Sequence, residues 1–321
     1  MYSESDIAEA VRFNRRLARM PRFRAPPPIT RAAIQSAIAL SAGLSFKRPP
    51  GVRVSSRRVL HQGRHVDLRV LVPSGPPRGL HIDFHGGGWT IGRASMGDAI
   101  NSRIAANCEV AVVSVDYPLL PQTSLSEMIE TCAVAADWAF SAGVQEFRAP
   151  CVTLGGESAG AHLALCSALR LRERREDFHR LAGLVLFYGP FDLAGSPSAR
   201  SAGPDTLVLD GPRLVSGLQR LTPGETEAAR KHPSLSPLYA DLGGLPPVML
   251  AVGGRDPLLD DTLGLADAIR SQGGEADLIL APEAPHAFNR FPTRMAELTN
   301  ARVRDWLSAR YADRLASCAG P

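Results

Sequence analysis

The sequence predicts an α/β protein whose mostly parallel sheet is covered by helices on both faces. Three observations predict it. Short apolar runs alternate with segments of helical periodicity along most of the chain. Several runs, at residues 110–115, 184–188 and 248–252, are apolar at nearly every position, as strands buried on both faces require. The 321 residues, 45% hydrophobic and 21% charged, can build a large core without a disulfide or metal staple.

Taken in order, residues 5–20 read as an amphipathic helix. Ile7, Val11, Leu17 and Ala18 share one face, and most of the arginines share the other. Prolines break the chain over residues 21–28. A second helix follows at 31–44, and Pro49-Pro50-Gly51 closes the segment. Val66, Leu68, Val70 and Val72, then Leu80, Ile82 and Phe84, alternate across a Pro- and Gly-rich connection and predict two antiparallel strands. Strands at 110–115, 151–154 and 184–188 are separated by helices at 124–140 and 158–172. Strands at 248–252 and 277–280 enclose a further helix, and a terminal helix covers 292–315. Residues 192–241 interrupt this alternation. They are rich in Gly, Pro, Ser and Arg, hold one helix at 212–221, and suit a lid or binding element.

The charge is uneven. The chain carries +4, but residues 1–60 carry +9 and the remainder −5. The arginine-rich first helix reads as a solvated helix face rather than a nucleic-acid or membrane anchor, since aromatic residues are sparse around it. Five cysteines, an odd number with no C-x-x-C, argue against a disulfide framework or a cysteine zinc site and fit a cytoplasmic protein. No apolar run reaches the roughly 18–20 residues of a membrane span, and no secretory leader is recognisable.

The chemistry centres on Gly156-Glu157-Ser158-Ala159-Gly160, a G-x-S-x-G between a strand and a helix. That context allows a sharp turn that presents Ser158 at the helix N-terminus, where developing negative charge is favoured. A plain tight turn with a structural serine would not need the flanking strand and helix. Upstream, His85-Gly86-Gly87-Gly88-Trp89 follows a strand. Its three glycines let two backbone N–H groups point at an oxyanion, with Ala159 N–H as a third donor. A phosphate loop fits less well, because no Lys-Ser/Thr follows.

A hydroxyl nucleophile needs a base. Of eight histidines, His286 alone follows the last strand, at the sheet end that holds Ser158. His162 lies on the nucleophile's own helix, and the others sit in early strands, in the glycine loop or in polar connections. The acid that orients the base should follow another strand, and Asp256 does so after residues 248–252. Asp260 and Asp261 read instead as first-turn acids of the next helix. Trp89, Phe191, Leu193 and Phe288 flank these loops and are candidates for an acyl pocket, with ordinary core packing as the alternative.

Together, H-G-G-G-W, G-E-S-A-G, Asp256-Pro257-Leu258 followed by Asp260, and His286-Ala287-Phe288 make the chain resemble the hormone-sensitive-lipase-like (bacterial family IV) carboxylesterases over roughly residues 55–310. The resemblance implies the α/β-hydrolase fold: a mostly parallel eight-stranded sheet, helices on both faces and a helical cap. It assigns the catalytic roles to Ser158, Asp256 and His286 and the oxyanion hole to Gly86, Gly87 and Ala159. It divides the chain into N-terminal cap helices (1–50), a catalytic domain (51–191 and 242–321) and a cap insertion (192–241). It implies hydrolysis of short- to medium-chain esters without cofactor or metal, and is compatible with a homodimer. Acyl transfer to an alcohol on the same scaffold, or a non-catalytic receptor, are the alternatives. Two departures stand out. Ala161 replaces a glycine, and Asp116-Tyr117-Pro118-Leu119-Leu120-Pro121-Gln122 lacks the Arg and Glu of the usual D-Y-R-L-A-P-E, which leaves the buried ion pairing of that region open.

Overall fold

The computed structural model describes residues 1–45 and 49–318. Lys47 and Arg48 of the basic segment lie outside them. Helix α1 (Glu4–Leu17) starts at a capping box in which the Ser3 and Asp6 side chains each accept from the other's backbone N–H. It buries Ala10, Asn14 and Leu17 and leaves Arg12, Arg15 and Arg16 exposed, the solvated face expected. Helix α2 (Pro28–Ser45) follows.

Strands β1 (Val52–His61) and β2 (Arg64–Pro73) form a hairpin around Gln62 and Gly63, both at positive φ as a two-residue hairpin turn demands. Then come β3 (Leu80–Phe84), α3 (Asp98–Cys108), β4 (Ala111–Asp116), α4 (Leu125–Trp138), α5 (Val144–Phe147) and β5 (Val152–Glu157). Next are α6 (Ala159–Arg174) and β6 (Leu181–Phe187), with three short helices in the insertion: α7 (Pro197–Arg200), α8 (Leu214–Gln219) and α9 (Glu227–Arg230). The chain ends with β7 (Val248–Gly253), α10 (Leu259–Ser271), β8 (Ala276–Ala281) and α11 (Arg294–Cys318).

The eight strands form one sheet in the order β1-β2-β4-β3-β5-β6-β7-β8. β2 runs antiparallel to β1 and β4, and every pairing from β4 through β8 is parallel. One expectation needs correction, and one strand was not foreseen. β2 and β3 run in opposite directions but do not pair, because β4 lies between them. β1 goes unrecognised in the sequence, because Arg53, Ser55, Ser56, Arg57 and Arg58 give an edge strand little apolar alternation.

Two apolar layers cover the sheet. One packs α4 and α6 against Leu80, Ile82, Phe84, Val113, Leu154 and Leu184. The other packs α1, α3 and α11 against Val112, Val185, Met249 and Ala251. The central parallel strands are buried at almost every position, which explains their unbroken apolar runs. Burial of each large aliphatic or aromatic side chain contributes about 1.5–3 kcal/mol, so this double layer fixes the strand ends that carry the site. The segment after α1 meets the insertion at a parallel bridge between Phe23 and Leu209, with Phe23 N–H donating to Val208 O (2.5 Å) and Asp210 N–H to Phe23 O (2.9 Å). Among the described residues, no helix is long and apolar enough to cross a membrane.

Candidate active site

β5 ends at Glu157 and α6 begins at Ala159, so Ser158 alone makes the turn. It takes φ 52° and ψ −123°, outside the regions open to most L-residues, and its N–H donates to Phe187 O (2.9 Å). The turn depends on its glycines. A Cβ on Gly160 would lie 1.9 Å from Phe84 O, and one on Gly156 2.5 Å from the Gly160 backbone. This close approach sets the first turn of α6, with Ala159, against the end of β3, where Gly86 and Gly87 follow.

The glycine loop is held from several sides. Gly87 (φ 124°) leaves no room for a side chain, since a Cβ would sit 2.0 Å from Ile91 O. The His85 ring stacks on Tyr117 (centroids 4.2 Å apart, 12° between planes), and Tyr117 O–H donates to His85 O (2.6 Å). The Asp116-Tyr117 segment thus braces this loop even without its Arg and Glu. From α2, the Gln35 amide clasps Gly92, donating to its carbonyl at 2.5 Å and accepting from its N–H at 3.0 Å. The Phe23 ring lies 3.1 Å from where a Gly88 Cβ would be, which puts the N-terminal segment directly over the loop.

The structure brings Ser158, His286 and Asp256 into one hydrogen-bonded chain. Ser158 Oγ lies 3.0 Å from His286 Nε2, and His286 Nδ1 lies 2.9 Å from Asp256 Oδ2. Asp256 Oδ1 accepts from Leu258 N–H at 2.9 Å. Nδ1–H therefore donates to the carboxylate, and Nε2 is left to accept from the serine. The His286 and Asp256 side chains are only 5% and 0% exposed, so their interaction is weakly screened. The rival acids serve elsewhere. Asp260 accepts from Ser198 N–H (2.7 Å), and Asp261 from Phe191 N–H (2.7 Å), Asp192 N–H (2.8 Å) and Ser196 O–H (2.5 Å), all at the root of the insertion. His162 is fully buried, donates from Nε2 to Leu235 O (2.7 Å), and is held down to about pKa 4 by burial.

The expected pocket residues divide. Trp89 (4% exposed) meets the His162 ring edge-on at 5.4 Å. Phe191 and Leu193 are wholly enclosed in the core layer under α6, and Phe288 (2% exposed) packs on Tyr188 in the opposite layer. All four side chains are buried, which fits the core-packing alternative that the sequence leaves open for them. Flanking the catalytic loops in sequence did not distinguish lining from support.

One partner at the site, Arg290, lies in no sequence motif. Beside Ser158, the Glu157 carboxylate is gripped by Arg290, with Nε 2.7 Å from both carboxylate oxygens and Nη2 2.5 Å from Oε1. Burial alone would raise the Glu157 pKa; Arg290, by charge and hydrogen bonds, and Tyr188 outweigh it and bring it below the ordinary carboxylate value. The sequence reading missed Arg290, though one signal could have found it. A buried carboxylate needs a cation, and Arg290 is the one arginine between β8 and α11.

A family model for the alpha/beta hydrolase fold matches residues 81–290. The chain belongs to that family. It is 25% identical to a hyperthermophilic esterase from the archaeon Pyrobaculum calidifontis, over 93% of this chain and 96% of that one, with a TM-score of 0.81. It is 25% identical to an esterase of the bacterial hormone-sensitive lipase family, over 97% and 100% of the two chains, with a TM-score of 0.77. A bacterial heroin esterase at 22% identity shares the fold, with a TM-score of 0.83 over 96% and 98%. Within the superfamily the chain is a hormone-sensitive-lipase-like member, a carboxylic ester hydrolase by class.

Proposed function

We propose that the protein is a serine carboxylesterase that cleaves short- to medium-chain esters through a covalent acyl-enzyme. The observation that carries this reading is the relay Ser158 Oγ–His286 Nε2, His286 Nδ1–Asp256 Oδ2 at 3.0 and 2.9 Å. Ser158 attacks the ester carbonyl as His286 takes its proton. The N–H groups of Gly86, Gly87 and Ala159 receive the oxyanion. The imidazolium, held by Asp256, returns the proton to the leaving alcohol, and water repeats the sequence on the acyl-enzyme. Residues 1–50 and 192–241 form the cap over this site; the Phe23–Leu209 bridge, and the Phe23 ring 3.1 Å from where a Gly88 Cβ would be, support that role.

A panel of p-nitrophenyl esters of increasing acyl length tests the reading, with Ser158→Ala as control. Turnover should peak at short to medium chains, and Ser158→Ala should lose it without unfolding. A peak at long chains would overturn the substrate class, and an active Ser158→Ala would overturn the mechanism. Transfer of the acyl group to an added alcohol in preference to water would favour the acyltransferase.

A further inference from the structure

Arg290 lies four residues beyond His286, and Glu157 lies one residue before Ser158. Their ion pair therefore ties the loop that carries the base directly to the turn that carries the nucleophile. The guanidinium has no freedom to swing, because Nη1 also donates to Met96 O at 2.9 Å. Tyr188 completes the cluster. Its hydroxyl lies 3.1 Å from Glu157 Oε2 and also contacts Asn289 Oδ1, and its ring meets the His286 ring edge-on at 4.7 Å. The histidine loop needs such ties, since it passes through left-handed conformations at Glu283 (φ 58°) and Ala287 (φ 61°), on either side of His286.

We propose that Glu157 and Arg290 form a positioning clamp that sets the separation of His286 from Ser158. The clamp rests on the Ser158–His286–Asp256 reading and adds no group that touches substrate. A fork-to-carboxylate contact suits this task because it fixes direction as well as distance. Stability alone gives no reason for the pair, since an apolar replacement of the buried Glu157, with Arg290 left to solvent, would be about as stable.

The test is a double-mutant cycle of Arg290→Met, Glu157→Gln and the combined variant, with kcat, KM and melting temperature measured for each on a short p-nitrophenyl ester. Each single variant should lose about 100-fold in kcat, the effect of a displacement near 1 Å, while KM stays within about twofold. Arg290→Met should also melt at lower temperature, because the Glu157 carboxylate, 8% exposed, is left buried without its partner, whereas Glu157→Gln leaves a guanidinium that reaches solvent. The double variant leaves no lone charge. Its melting temperature should recover while kcat stays at least about 30-fold below wild type, the base still misplaced. Arg290→Lys keeps the charge without the fork and should fall between wild type and Arg290→Met. Recovery of kcat together with melting temperature in the double variant would make the pair merely structural and overturn the clamp. Wild-type kcat in Arg290→Met or Arg290→Lys would overturn it too. Failure of the underlying reading is distinguishable, since it appears as turnover in Ser158→Ala.

Discussion

At Ser158 the chain holds a backbone conformation of φ 52° and ψ −123°, which costs on the order of 1–3 kcal/mol. The close packing of Gly156 and Gly160 around it and the bond to Phe187 O offset that cost, and it is accepted at the one residue whose hydroxyl must stand clear of strand and helix. The same economy of contacts governs Asp256, which spends one oxygen on Leu258 N–H and the other on His286. Asp256→Asn keeps the shape but can offer an N–H to Nδ1, which favours the wrong tautomer. Turnover should fall by up to about 10⁴-fold with little change in melting temperature, read by steady-state kinetics and thermal unfolding. Ser158, His286 and Asp256 were legible because each follows a strand end marked by local motifs. Arg290 and Asn14 were not, because Arg290 meets Glu157 across 133 residues and Asn14 meets Glu283 across 269. Phe191 and Phe288 stayed open between pocket and core, because nearness in sequence to a catalytic loop does not by itself separate lining from packing.

Helix α1 acts at the scale of an element. Its inner face docks on the segment that bears His286. Asn14 Nδ2–H donates to Glu283 O (2.7 Å), Phe13 packs on Phe291 at 5.1 Å, and Glu9 accepts from Arg294 N–H (2.7 Å). Near its N-terminus, Tyr2 shares a 2.6 Å hydrogen bond with Thr299 on α11. The outward arginines stay in solvent because the inward face does the packing. Asn14→Ala leaves a part-buried carbonyl without its donor and should destabilise the protein by about 1–3 kcal/mol, measured by chemical denaturation. No loss would mean that the helix is a passive cover. Elements were legible where burial was two-sided or caps were strong, as in the central strands and in α4 with its Ser124–Glu127 capping box. β1 and α3 were not. The first is a charged edge strand, and the second offers only Ile100, Ile104 and Cys108 as a sparse apolar face before Glu109 ends it in a left-handed conformation.

Across the whole molecule, the insertion and the hydrolase core are joined at Asp261. Burial raises its carboxyl to about 7, although hydrogen bonds from Ser196, Asp192 N–H and Phe191 N–H pull the other way. Between the ordinary 3.8 and about 7, the native state keeps a proton that the unfolded chain has released, so this residue lowers stability as pH rises through that window. Asp261→Asn removes the titration. Its melting temperature relative to wild type should therefore climb from pH 4 to pH 8. His81 and His162, both brought to about 4 by burial, titrate with the opposite sign but equally in the two proteins, and cancel from the comparison. A difference independent of pH would refute this link. The central claim, that Ser158 becomes acylated with His286 as its base, is tested most directly by a covalent label. The protein should take up one equivalent of a fluorophosphonate, with peptide mass mapping placing it on Ser158, turnover falling in proportion, and His286→Ala labelling far more slowly. A label on another residue, or undiminished turnover in fully labelled protein, would contradict the account.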